Sequence, residues 1–109
     1  MLVYICSPYS AKTKKGIKKN IEIAKKLGKE IFDLGLNYIP VIPHLNFSFI
    51  EKEDEKTRER ILSFCGQLVS ICDMVYINNE KGITEGMKRE IKIAKKYGKG
   101  LIYRKEGTK

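Results

Sequence analysis

The sequence predicts an α/β fold: a four-stranded parallel sheet with helices on both faces, forming a three-layer α/β/α sandwich. Three observations predict it. Short apolar runs alternate with stretches whose apolar residues fall three and four apart, in the order strand, helix, strand, helix, strand, helix, strand. The run from Asn37 to Ile42 contains Pro40, which cannot donate to a ladder, so this strand belongs at a sheet edge. Right-handed crossovers with that strand at the edge favour the spatial order 2-1-3-4.

The first strand is Leu2 to Cys6, ended by Ser7-Pro8. A helical stripe follows at Ile17, Ile21, Ala24, Leu27, Ile31 and Leu34, with Gly35 placed to stop it. After the edge strand, His44 to Ile50 reads as loop. Glu51 to Arg60 is a mixed-charge run, read as the solvated first half of a helix that then buries Ile61, Phe64, Cys65, Leu68 and Cys72. Met74 to Ile77 is the third strand and Gly100 to Tyr103 the fourth. Between them Thr84 to Tyr97 reads as a helix, capped by the Thr84 hydroxyl and closed by Gly98.

At 109 residues, the length fits one domain over 1–109 with a core of its own. The longest uncharged run, Leu34 to Ile50, is broken by Pro40, Pro43 and His44, so no membrane span is expected. The amino end lacks a basic region before its apolar stretch, which argues against a signal peptide. Three cysteines without framework spacing read as small buried residues in a reducing, cytoplasmic setting.

The formal net charge is +9, concentrated in residues 11–30 and 81–105. The cations are mostly Lys, whereas nucleic-acid readers lean on Arg forks and stacking rings. Solvated lysine faces on two helices are the plainer reading, attraction of a small phosphorylated ligand the next. One His and no paired Cys argue against a zinc site, and no metal or other cofactor is expected. No phosphate-binding loop of the Gly-x-x-x-x-Gly-Lys type and no nucleophile elbow is present.

In an open parallel sheet, ligands bind beyond the carboxyl ends of the strands, where the strand order switches. Here that is between strands 1 and 3, the position to which Ser7 to Ser10, His44 and Asn78 to Thr84 are delivered. The amino end of the Thr84 helix, with Gly86 allowing close approach, is a candidate phosphate site there. Glu90 is the most informative residue. On a helical wheel it falls inside the apolar arc of Met87, Ile91, Ile93, Ala94 and Tyr97, and a carboxylate in that position needs a partner or a purpose. Glu90 is therefore expected to face a pocket bordered by Tyr4, Ser7 and Thr84, with a raised pKa.

The residues Val3-Tyr4-Ile5-Cys6-Ser7-Pro8-Tyr9, then Pro43-His44, Cys72-Asp73, and Thr84-x-Gly86-Met87-x-x-Glu90 followed by Gly98-Lys99 carry a resemblance. In order and spacing the chain resembles the nucleoside 2-deoxyribosyltransferase superfamily, in particular a short branch of small bacterial and phage domains. The deoxynucleoside 5′-monophosphate N-glycosidases are similar in outline. The resemblance implies a flavodoxin-like, Rossmann-like sandwich in a homodimer or higher homo-oligomer. It implies a nucleoside or nucleotide substrate, with Glu90 as nucleophile and Tyr4 as the strand-1 tyrosine of the active site. Ser7, Pro8 and Tyr9 match the loop after strand 1, His44 a position approaching the base, and Thr84 and Gly86 positions near phosphate or sugar. Cys65 stands where the family usually places an Asp that helps hold deoxyribose. The expected activity is cleavage or transfer at the N-glycosidic bond. The alternatives are a non-catalytic nucleotide-binding module of the same fold and a basic nucleic-acid-binding domain.

Overall fold

Alternation along the first strand decides how the molecule is layered. In β1 (Leu2–Cys6), Val3 and Ile5 face one side of the sheet while Tyr4 and Cys6 face the other, and all four are buried. The computed structural model describes residues 1–50 and 54–105. Within them the chain runs β1, α1 (Lys14–Phe32), β2 (Ile39–Val41), α2 (Pro43–Asn46), α3 (Glu55–Ile71), β3 (Met74–Ile77), α4 (Glu85–Lys96) and β4 (Gly100–Tyr103). The four strands are all parallel and lie in the order β2-β1-β3-β4, as the sequence predicts.

Helix α1 lays Ala24, Leu27 and Ile31 on Val3 and Ile5, with Met74 and Tyr76 of β3 beside them. Helices α3 and α4 cover the opposite face, where Ile61, Cys65, Val69, Met87, Ile91 and Ala94 meet Tyr4, Cys6, Val75 and Ile77. Each fully buried branched side chain contributes on the order of 1.5–3 kcal/mol to this association. Residue-to-residue alternation along the strands thus separates two cores with the sheet between them.

Three helices begin on side-chain caps. Gly16 N donates to Thr13 Oγ1 at 3.0 Å, Thr57 N to Asp54 Oδ1 at 2.7 Å and Met87 N to Thr84 Oγ1 at 3.2 Å. Such a cap is worth about 1 kcal/mol against Ala. Helix α4 closes as predicted on Gly98, whose φ of +66° suits glycine. Lys99 N donates to Ala94 O and Gly98 N to Lys95 O, the paired bonds of a Schellman ending. Asp73, immediately before β3, accepts from Leu2 N at 2.7 Å while its own amide donates to Leu2 O. It therefore fixes the register of β1 against β3 at the amino edge, far from the carboxyl ends where ligands bind.

Several local expectations are corrected. The second strand shrinks from Asn37–Ile42 to Ile39–Val41, because Asn37 and Tyr38 belong to the turn that brings the chain alongside Met1. His44 to Ile50 is not all loop. Pro43 starts the short helix α2, its fixed φ and missing N–H suiting a first helical position. Leu34 lies beyond the end of α1 and is exposed, as are Phe64 and Tyr97 from the other two stripes. Cys72 is buried but caps α3 instead of lying within it. The mixed-charge run is described only from Asp54, and residues 51–53 lie outside the described residues.

Candidate active site

Two polar side chains meet where the strand order switches. Ser7 follows β1, Asn78 follows β3, and Asn78 Nδ2 donates to Ser7 Oγ at 3.0 Å with both residues buried. This hydrogen bond forms a partition at the carboxyl edge of the sheet. On its α3/α4 side lies a cavity of about 280 Å³, bordered by Ser7, Tyr9, His44, Thr84, Gly86 and Glu90. Its remaining walls are largely apolar, with Phe47, Ile61, Leu62 and Met87 prominent. A cleft of that size and lining suits a small organic ligand.

Glu90 enters this cavity from the second turn of α4, between the buried Met87 and Ile91. It is half-buried: the helix and sheet surround it, and the exposure it keeps is toward the cavity. Burial pushes its carboxyl up to about 7, against smaller opposing pulls from Cys6, Tyr4 and Arg89. Tyr4 and Cys6 lie beneath it on β1, and burial together with the nearby carboxylate raises both of their own pKa values. Cys65 borders the same cavity and is pushed up to about 11, first by burial and then by Glu90. All three groups are thus neutral hydrogen donors near pH 7, arranged around one carboxyl. The Tyr4 hydroxyl is fully buried and has no hydrogen bond of standard geometry among the described residues, although it is near enough to Glu90 to influence it.

His44 lies across the cavity, 2% exposed, with Nε2 3.0 Å from the Pro8 carbonyl. A carbonyl only accepts, so Nε2 carries the proton in the neutral ring and Nδ1 is an acceptor. Burial lowers the His44 pKa and keeps it neutral, and Nδ1 is buried without a hydrogen-bond partner among the described residues. The Tyr9 ring packs against His44 with centroids 5.3 Å apart. At the mouth, Thr84 Oγ1 is occupied as the cap of α4 but retains its own proton to donate. A Cβ built on Gly86 would meet Leu62 at an ordinary 3.5 Å, so packing alone does not demand glycine there.

Of the residues singled out from sequence, the cavity brings together Ser7, Tyr9, His44, Thr84, Gly86 and Glu90. Tyr4 and Pro8 are not in its wall. Tyr4 lies below Glu90, and Pro8 acts through its carbonyl on His44. Arg58 also borders the cavity and was hidden in a mixed-charge run. Its signal was the spacing of Arg58, Ile61, Leu62 and Cys65, which places the cation on the stripe that faces inward. Among the described residues no group of three His, Cys, Asp or Glu side chains is placed to hold a metal ion.

Sheet order and the helices on both faces define a parallel α/β domain, with the cavity and the inward-facing carboxyl at the switch point of its strand order. A solved 2-deoxyribosyltransferase from Bacillus psychrosaccharolyticus shares this fold, with a TM-score of 0.68 at 15% identity over 94% of this chain and 71% of that one. The chain belongs to the family described as the domain of unknown function DUF7768, whose model matches residues 1–104. Among curated proteins, none matches it. No helix among the described residues is long and apolar enough to cross a membrane.

Proposed function

We propose that this chain cleaves or transfers at the N-glycosidic bond of a nucleoside or nucleoside 5′-monophosphate, with Glu90 as nucleophile. The observation that carries the proposal is the placement of the Glu90 carboxyl at the edge of a largely apolar cavity, where burial raises its pKa. A carboxylate oxygen of Glu90 forms a bond to the anomeric carbon as the bond to the base nitrogen breaks. The electron pair leaves with the base, which takes a proton from solvent. Water, or the nitrogen of a second base, then displaces Glu90 from the glycosyl ester and regenerates the carboxylate. One difficult step becomes two easier ones.

The other residues have roles that follow from their placement. Tyr4 is a positioning residue whose hydroxyl orients the carboxyl from below. His44, neutral and held by Pro8, approaches the base together with Tyr9. Ser7 and Thr84 donate to sugar or phosphate oxygens. The first amides of α4 lack intrahelical acceptors and, with Gly86 open in front of them, suit a 5′-phosphate. Arg58 supplies a cation at the same mouth. The fold shared with a 2-deoxyribosyltransferase supports this reading. Its assembly as a homo-oligomer belongs to the same proposal.

Cys65 favours a second reading, a nucleotide-binding module without chemistry, because a neutral thiol borders the cavity where a charged acceptor would hold the sugar more firmly. One experiment separates the two. A panel of ribo- and deoxyribonucleosides and their 5′-monophosphates is incubated with the protein and free base is measured by chromatography. The enzyme reading expects base from at least one substrate, and release from monophosphates alone would assign the α4 terminus to phosphate. Binding without release from any of them would establish the module.

A further inference from the structure

A second cavity, of about 330 Å³, opens on the α1 side of the Ser7–Asn78 partition. Its chemistry is unlike that of the first. Lys19, Lys26, Lys81 and Arg104 border it, against Glu80 as the acid. Arg104 is held by Glu30 and Glu80, and Lys26 acts on Glu30. Lys19 and Lys81 have no ion pair among the described residues. Asn20, Ser7 and Asn78 add hydrogen-bonding groups, and no aromatic ring borders the space. That combination suits a small, hydroxylated anion and offers nothing for a base to stack on.

Three connections run from this cavity to the first. Ser7 borders both, and because its oxygen accepts from Asn78, its single proton can serve a ligand on only one side at a time. Pro8 borders the second cavity, and its carbonyl holds His44 of the first. Asn20 borders the second cavity and donates to the carbonyl of Tyr9, which borders the first.

We propose that the second cavity binds a dianionic phosphate monoester of about pentose size, and that its occupancy repositions Ser7, Tyr9 and His44 in the first. The test is a binding measurement and does not depend on the glycosidic reading. Ribose 5-phosphate is titrated into the isotopically labelled protein and followed by NMR, with ribose as the uncharged control. The phosphate ester should produce saturable shifts at Lys19, Asn20, Asn78 and Lys81, accompanied by a shift of the His44 ring, and ribose should produce none. Combined Lys19→Glu and Lys81→Glu substitution changes two exposed side chains, so melting should be unaltered while affinity falls tenfold or more. Unchanged affinity in that variant, or shifts confined to Thr84 and Gly86, would overturn the site. Saturable shifts around Lys19 and Lys81 with a stationary His44 ring would overturn the coupling.

Discussion

Two glutamates on opposite faces of the sheet meet opposite fates. Glu30, on α1, accepts from Tyr76 Oη at 3.1 Å and from Arg104 Nη2 at 3.0 Å, and Arg104 also reaches Glu80. The guanidinium and the phenol hold its carboxyl below the usual carboxylate range. Glu90, on α4, is surrounded by neutral hydroxyl and thiol groups, and burial drives it the other way, to about 7. Arg89 is the cation that acts on it, and only as the weakest of its influences. Glu30 has its counter-charge built into the fold, while no cation near Glu90 outweighs its burial. The first is structural and the second is the candidate for chemistry.

The sharpest way to break this contrast is Glu90→Gln. Under the proposed mechanism the amide preserves size but removes the nucleophile, so base release should fall by ~10³ or more, equivalent to roughly 4 kcal/mol of transition-state stabilisation. Binding of a nucleotide should change much less. Kinetics beside a thermal melt on the same preparation would check this, and loss of activity through unfolding would defeat the assignment.

Stability against pH comes next. Glu90 has a folded pKa above that of an unfolded Glu, so the native state holds its proton longer. Its burial costs nothing below about 4.5, and stability should decline as pH rises from there through about 7. The Glu90→Gln variant should therefore gain up to ~3 kcal/mol over wild type at pH 8 and nothing at pH 4, measured by denaturant unfolding at both. The activity of wild type should rise with pH across the same window, as the nucleophile ionises.

Gly86→Ala tests the mouth of the cavity. The added methyl meets Leu62 at ordinary contact distance, so stability should move by no more than ~0.5 kcal/mol. If a ligand approaches the α4 backbone there, affinity for a nucleotide should nevertheless drop about tenfold, near 1.4 kcal/mol, by calorimetry. The smallest effect belongs to Glu30→Gln. Its carboxylate contributes stability above the unfolded pKa of about 4.5, lost as pH falls through the lower folded value. More than a third of that side chain is exposed, so solvent screening limits the loss at pH 7 to ~1 kcal/mol.

Much of the frame was legible because local rules and global topology agree. Pro40 placed its strand at the edge, alternation placed the helices, and the hydroxyl of Thr84 and the freedom of Gly98 bounded α4. Glu90 was legible for the opposite reason: it violates the apolar pattern of its own helix. What sequence could not show is pairing at long range. Glu30 and Arg104 are 74 residues apart and meet only because β3 and β4 are neighbours. Apolar periodicity also overreached. Leu34, Phe64 and Tyr97 fit their stripes in register, yet each is exposed, at 65%, 40% and 55%. The first lies beyond its helix, Tyr97 caps its own, and Phe64 sits at the margin of its stripe, stacked on Phe47. Arg58 was overlooked because charge outweighed spacing in reading the start of α3.

The central claim is that Glu90 becomes covalently attached to the sugar. The direct measurement is peptide mass spectrometry of a rapidly quenched reaction, using whichever substrate releases base and Glu90→Gln as the control. The account predicts a pentosyl or phosphopentosyl mass on the peptide containing Glu90 in wild type and none in the variant. Sugar attached to Glu85 or another residue, or base release persisting at full rate in Glu90→Gln, would contradict it.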